Sequence, residues 1–261
     1  MLRIRNLESG YGSLKVLRHI SIHVRAGEIV TIIGANGAGK TTLLKTIAGL
    51  IRPRAGEMLF GQEDITRLSP EKIVFLGCSL VPEGRQVFAP MTVRENLMMV
   101  PPRQSGEKLW NALFSRSAVA EEEERIRQKA DEVLEFLTIS HIADQKAGMI
   151  SGGQKKLVEL GRTMMVDAKI VFLDEVGAGV NRTLLNTIGD AIVRLNKERG
   201  YTFCVIEHDM DFIARLCDPV ICMAEGKVLA EGTVEQVKND ERVIEAYLGR
   251  GLKNKIKEGA A

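Results

Sequence analysis

Eight consecutive residues, Gly34-Ala35-Asn36-Gly37-Ala38-Gly39-Lys40-Thr41, combine three glycines with a lysine and a terminal hydroxyl. They directly follow the apolar run Ile29-Val30-Thr31-Ile32-Ile33 and lead into Thr42-Leu43-Leu44-Lys45-Thr46-Ile47-Ala48, which has helical spacing. Strand, glycine loop and helix in that order form a P-loop, where backbone N–H groups and the positive end of the helix dipole converge on a phosphate. Side chains would hold the anion away from the backbone, hence the glycines. In this geometry Lys40 reaches the outer phosphates of a nucleotide and the Thr41 hydroxyl ligates Mg²⁺. A pair of acids, Asp174-Glu175, ends the apolar run Ile170-Val171-Phe172-Leu173. Ligands gather at the carboxyl ends of strands in an open α/β sheet, so both carboxylates are expected beside the glycine loop. Adjacent acids there suit separate roles. Asp174 would hold Mg²⁺, directly or through water, and Glu175 would orient or deprotonate an attacking water. Without a nucleotide site, the same dipeptide would read as an acidic helix N-cap.

Bringing residues so far apart in sequence together requires a sheet. Residues 1–33 read as short strands, with Leu2-Arg3-Ile4-Arg5 and Ile20-Ser21-Ile22-His23-Val24 alternating before the turn at Ala26-Gly27-Glu28. A loop at Leu50–Gly56, a strand at Glu57–Phe60 and a further strand ending at Pro82 follow. Residues from about 90 to 150 turn helical. There the run Glu121-Glu122-Glu123-Glu124, followed by Arg125, Arg127 and Lys129, reads as a solvated helix face with i,i+4 pairing. Pro101-Pro102 breaks the chain before 103–120, a loop or short helix. A helix is expected over 155–165. The 170–173 run looks like a strand buried on both faces, and helix (183–198), strand (202–206), helix (209–216) and strand (219–224) then alternate. This alternation predicts an α/β fold around a mainly parallel sheet. Gly226–Gly232 suggests a hairpin and strand, one closing helix is expected from about Val234 to Leu248, and the tail Lys253–Ala261 is expected to fray.

The chain of 261 residues is long enough for one large domain or one domain with an insertion. Its 36 basic and 34 acidic residues leave a net charge of +2, which argues against a general electrostatic binder of nucleic acid. Met1-Leu2-Arg3-Ile4-Arg5 opens into strand-like sequence without a signal-peptide core, and no apolar stretch approaches the roughly 20 residues that span a bilayer. A cytoplasmic location is therefore expected. Cys78, Cys204, Cys217 and Cys222 form no Cys-x-x-Cys pair, and core packing is their expected role.

Ser151-Gly152-Gly153-Gln154 precedes the 155–165 helix. Alone it is an ordinary loop and N-cap composition. Placed between the glycine loop and the Asp174-Glu175 strand end, it makes the sequence resemble the ATP-binding cassette (ABC) ATPases over nearly all of residues 1–250. The resemblance implies a P-loop NTPase fold of the ABC-ATPase type. It would have a mainly parallel core of about 1–85 and 155–250, an N-terminal antiparallel β subdomain, an inserted helical subdomain of about 86–154, and a flexible tail at 251–261. It also implies ATP and Mg²⁺ as ligands. Gly34, Ala35, Asn36, Gly37, Ala38, Gly39, Lys40, Thr41 and Thr42 would hold the phosphates, and Tyr11 in Ser9-Gly10-Tyr11-Gly12 would stack on adenine. Ser151, Gly152, Gly153 and Gln154 would contact ATP bound to the opposite subunit. His208, in Ile206-Glu207-His208-Asp209, matches a histidine that contacts the γ-phosphate and helps place the water. His19, His23 and His141 have no comparable context and read as surface or packing residues.

Departures from the general pattern narrow the resemblance. Val81-Pro82-Glu83-Gly84-Arg85 places Glu83 where the family carries a magnesium-sensing glutamine; a carboxylate can still ligate the ion but adds negative charge. With Met91-Thr92-Val93-Arg94-Glu95-Asn96-Leu97, this segment is similar to the ATPases of branched-chain amino acid importers. So is Val176-Gly177-Ala178-Gly179-Val180-Asn181, although Val176 replaces the usual proline. The ending Ala246-Tyr247-Leu248-Gly249 is similar to the same group, and features of both paired importer ATPases occur. The implied partners are a second ABC ATPase subunit, identical or different, two membrane permease subunits and a substrate-binding protein. Membrane contact would come only through the permeases, on the inner face. Met91, Val93, Leu97, Met98 and Met99 would line the docking groove or pack the helical subdomain, with Arg85 as a polar contact. Two other readings remain, an exporter ATPase of the lipopolysaccharide-extraction type and a soluble ABC ATPase outside transport.

Overall fold

The computed structural model describes residues 1–84, 86–102, 104, 116–216 and 219–248. Arg85, Cys217, most of the 103–115 segment and everything after Leu248, including the expected tail, lie outside the described residues. The chain divides into two compact units. The first comprises Met1–Glu83, Lys169–Gly177 and the chain from Ile192 onward, and the second Gly84–Ala168 with Ala178–Ala191.

The first unit holds both sheets. Strands β1 (Leu2–Tyr11), β2 (Leu14–Val24), β4 (Ala55–Phe60) and β5 (Glu63–Asp64) form an antiparallel sheet in the order β2-β1-β4-β5. Strands β3 (Ile29–Ile33), β6 (Cys78–Val81), β7 (Ile170–Asp174), β8 (Thr202–Ile206), β9 (Val220–Ala224) and β10 (Lys227–Gly232) form the second, in the order β10-β9-β3-β8-β7-β6. Its pairs are parallel except β9–β10, which turn at Glu225 and Gly226 with φ of 49° and 77°. Every residue of β3, β7 and β8 is buried, which is why these runs are almost unbroken in apolar residues. Helix α1 (Lys40–Ile47) adds Leu43, Leu44 and Ile47 to a core that includes Leu2, Ile4, Met58 and Phe172. Cys78, Cys204 and Cys222 are buried, as core packing requires, and burial pushes the Cys78 thiol up to about 12. The short α2 (Pro70–Phe75) precedes β6.

The second unit is built on α3 (Val93–Met98), α4 (Arg116–Phe136), α5 (Gly152–Met165) and the first half of α6 (Arg182–Arg199). The acidic run of α4 is solvated, while Ala130, Val133 and Leu134 are buried. Gly161 lets α5 approach closely, since a Cβ there would lie 3.0 Å from Leu137 and Val133 and 3.1 Å from Leu97. This packing places all of α5 in the second unit, past the boundary expected near residue 154. Asn96, fully buried, anchors the segment before α3: its amide donates to the carbonyls of Phe88 and Thr92, and its oxygen accepts from Phe88 N–H and Arg162. Val93 and Leu97 are wholly buried and so serve the core of this unit, whereas Met99 is exposed.

The C-terminal part of the first unit carries α7 (Met210–Leu216), α8 (Val234–Asn239) and α9 (Glu241–Leu248). The single closing helix expected from the periodicity is in fact two. Asp240 breaks it at ψ 119°, and its side chain accepts the Arg242 N–H in the manner of an N-cap.

Candidate functional site

Sheet register brings the separated motifs to one edge. Ile32 of β3 and Asp174 of β7 both pair with Ile206 of β8, and the strands run parallel. Gly34 and Glu175, which continue β3 and β7, therefore leave the same edge of the sheet on either side of β8. The Thr41 hydroxyl, at the start of α1, donates to Asp174 Oδ1 at 3.3 Å. Lys40 folds over the cradle, its ammonium donating to the carbonyls of Gly34 (2.8 Å) and Ala35 (3.2 Å). Ala35, Asn36 and Gly37 are exposed at the mouth of the loop, Gly39 and Ala38 are buried, and Gly39 caps α1. Thr42, also buried, accepts the Thr46 hydroxyl on its carbonyl and anchors the first turn of the helix.

Asp174 is 2% exposed, and its carboxyl titrates above the ordinary aspartate range. Desolvation is the main cause, opposed by the Thr41 hydrogen bond and reinforced by the charges of Glu175 and Glu83. A divalent cation between Thr41 and Asp174 would relieve that burial, and a hydroxyl paired with a carboxylate is a donor set suited to Mg²⁺. Glu83 lies two residues beyond Val81, which pairs with Leu173, and is exposed. Glu175 is half-buried and adopts φ 50°, a left-handed conformation that costs a non-glycine residue about 1–2 kcal/mol. Its N–H donates to Ile206 O at 3.0 Å. Strain of this kind accumulates where a side chain must be aimed.

Tyr11 ends β1 at the hairpin and is 49% exposed, so its ring is available to a ligand and is not a core tyrosine. Arg54 holds the hairpin that carries it, with Nη2 donating to the carbonyls of Gly12 (2.6 Å) and Leu14 (3.0 Å). His208 follows β8 and projects into solvent, its side chain 74% exposed. His19, His23 and His141 are exposed; His19 meets Glu8 at 2.9 Å.

The Ser151–Gln154 segment belongs to the second unit. Ser151 caps α5: its hydroxyl accepts the Gln154 N–H at 3.3 Å, and Gln154 Oε1 accepts the Ser151 N–H at 2.9 Å. Such a capping box leaves the N–H groups of Gly152 and Gly153 at the positive end of the helix. Gly153 has a second, local reason to be glycine, because a Cβ there would lie 2.0 Å from Leu184 Cδ2. Asn181 caps α6 through Leu184 N–H at 2.9 Å.

Sequence reasoning missed Arg54, Leu184 and above all Glu207. Glu207 is a buried acid directly after β8 whose carboxylate accepts N–H groups from Gly177 and His208. A charged residue abutting a buried parallel strand was the available signal.

A glycine cradle between strand and helix, with a hydroxyl and a buried aspartate at its floor, has the chemistry to receive a phosphate and a divalent cation. The ABC transporter family model matches residues 17–178, and the chain belongs to that family. A second model, described as a branched-chain amino acid ATP-binding cassette transporter, matches residues 227–253. The chain is 39% identical over 249 residues to the probable branched-chain amino acid transport ATP-binding protein LivG of Archaeoglobus fulgidus, covering 95% of both chains. It is 34% identical to the lipopolysaccharide export system ATP-binding protein LptB of Haemophilus influenzae, covering 97% of this chain and 99% of that one. Among solved structures, the ADP conformation of an ATP-binding cassette of an ABC transporter superposes with TM-score 0.81 at 36% identity, covering 96% of this chain and 99% of that chain. Membership supports ATP binding and ATPase activity. No helix among the described residues is long and apolar enough to cross a membrane.

Proposed function

We propose that this chain is the ATP-hydrolysing subunit of an ABC importer for branched-chain or related hydrophobic amino acids. The observation that carries the ATPase reading is the register that sets the Gly34–Thr41 cradle beside Asp174-Glu175, with Thr41 bonded to Asp174. Cradle amides and Lys40 bind the phosphates and Tyr11 takes the adenine. Thr41, Asp174 and Glu83 would hold Mg²⁺, which would supply positive charge against the phosphates. Glu175 takes the proton of the attacking water, and His208 helps place that water against the γ-phosphate. The residues mainly position reactants and complement charge, as phosphoryl transfer demands.

A second ATPase subunit would present its own Ser151–Gln154 segment to this cradle and receive this one in return. Coupling would pass to two permeases, the chain lying on the cytoplasmic face of the membrane. The import reading is supported by the LivG relative and by the C-terminal branched-chain model. The LptB relative favours a second reading, lipopolysaccharide export. Co-expression with the permease subunits and binding protein of a branched-chain amino acid importer, followed by uptake of radiolabelled leucine into vesicles, separates the two. ATP-dependent leucine uptake supports import; ATP hydrolysis without uptake of any branched-chain amino acid would overturn it.

A further inference from the structure

The carboxyl end of β8 carries a third acid beside the Asp174-Glu175 pair. Glu207 follows Ile206 directly and is 2% exposed. A carboxylate taken out of water is costly unless hydrogen bonds replace its hydration. Both of its oxygens serve backbone groups: Oε1 accepts the Gly177 N–H at 2.5 Å, and Oε2 accepts the His208 N–H at 3.1 Å. Neither bond belongs to a strand ladder or a helix, so each fixes a segment that no regular structure holds.

Those segments carry the two groups assigned to the attacking water. Glu175 donates its own N–H to the Ile206 carbonyl, and Gly177, two residues on, is held by Glu207. The chain is thus tied to the end of β8 on both sides of the Glu175 side chain, at a residue with φ 50° that would otherwise relax. Through its second oxygen the same carboxylate fixes the His208 amide, and the exposed imidazole beyond it keeps Nδ1 3.9 Å from that oxygen. One forked acceptor therefore sets two side chains from different strands in register. Bonds to an ionised acceptor are stronger than neutral ones, which suits a strut that must hold a strained loop.

We propose that Glu207 is a positioning residue for ATP hydrolysis, aligning Glu175 and His208 by holding the Gly177 and His208 amides, without touching nucleotide or water. This rests on the reading of those two residues as the groups that handle the attacking water. The test is Glu207→Gln, which keeps the shape but sets an NH₂ against one of the two N–H donors. Misplacing one such donor should lower kcat about tenfold or more. KM for ATP should stay within about twofold, because the cradle is untouched. The thermal midpoint should fall by only a few degrees, about 2–4 °C per kcal/mol for a chain of this size. In the double variant with His208→Ala, the loss in kcat should be smaller than the product of the single losses, since both act on one geometry. An unchanged kcat in Glu207→Gln, or losses that multiply in the double variant, overturns the proposal. So does a parallel drop in ATP affinity and thermal midpoint that accounts for the fall in rate, which would make Glu207 a general prop of this edge. A parent protein that hydrolyses no ATP would instead remove the functional reading, and the inference with it.

Discussion

Replacing Gly34 and Gly37 separately by alanine should give opposite kinds of damage, although both glycines belong to one motif. A Cβ on Gly34 would lie 2.3 Å from the Met223 carbonyl oxygen and 3.2 Å from Ala38 Cβ, at a backbone φ of 154°. Ordinary contact begins about 1 Å further out, and Met223 cannot yield, being 1% exposed beside residues of β9 paired to β3. The cradle must move instead. Overpacking typically costs about 1–3 kcal/mol and an unfavourable backbone about 1–3 more, giving roughly 2–6 kcal/mol in all. At about 2–4 °C per kcal/mol, the nucleotide-free protein should unfold about 10 °C lower. Gly37 sits at φ 82° with nothing within 4 Å of an added Cβ. Its alanine variant bears only the backbone cost, about 1–2 kcal/mol, so the nucleotide-free midpoint should fall less than in Gly34→Ala, by about 2–8 °C. That open space is the mouth of the cradle, so the new methyl should meet the phosphates and abolish the thermal shift produced by ATP. Thermal unfolding of both variants with and without ATP decides the matter. Equal destabilisation without nucleotide, or a normal ATP shift in Gly37→Ala, would refute the assignment of these glycines to strand packing and to phosphate approach respectively.

Glu175→Gln should keep nucleotide affinity within a few-fold while kcat falls about 100- to 10,000-fold, the usual worth of a general base; turnover near that of the parent in a phosphate-release assay would remove Glu175 from that role. Asp174→Asn should raise the thermal midpoint of the nucleotide-free protein at neutral pH, since burial holds the Asp174 carboxyl above its unfolded value and its ionisation therefore costs stability. The sign follows from linkage: this cost is absent below the unfolded value of about 3.9 and develops as pH rises through the folded one, so the advantage of the variant should grow from pH 4 to 8. A parent that gains on the variant with rising pH would contradict it, and the variant should also lose the stabilisation given by Mg²⁺ with ATP. Gly153→Ala should lower the midpoint through its clash with Leu184, and Leu184→Ala in the same chain should restore part of it; no rescue in the double variant would show that the contact is unimportant.

Sequence alone determined the elements with local causes. Gly34–Thr41, the apolar runs of β3, β7 and β8, and the Ser151–Gln154 N-terminus were legible because strand burial, phosphate approach and capping each leave a short pattern. The alternation of strand and helix disclosed a parallel sheet for the same reason. Its periodicity could not show that Asp240 divides the last helix, because a capping aspartate reads there as one more polar residue on an exposed face. Nor could it place α5, whose packing depends on Gly161 meeting Val133, Leu137 and Leu97 from distant parts of the chain. The order of strands, and with it the meeting of Thr41 and Asp174, follows from register across β3, β8 and β7, a long-range property. Glu207 shows the limit most plainly. In sequence it is one more acid beside a histidine, and only burial at the end of β8 turns its carboxylate into an acceptor for two loop amides that nothing local brings together.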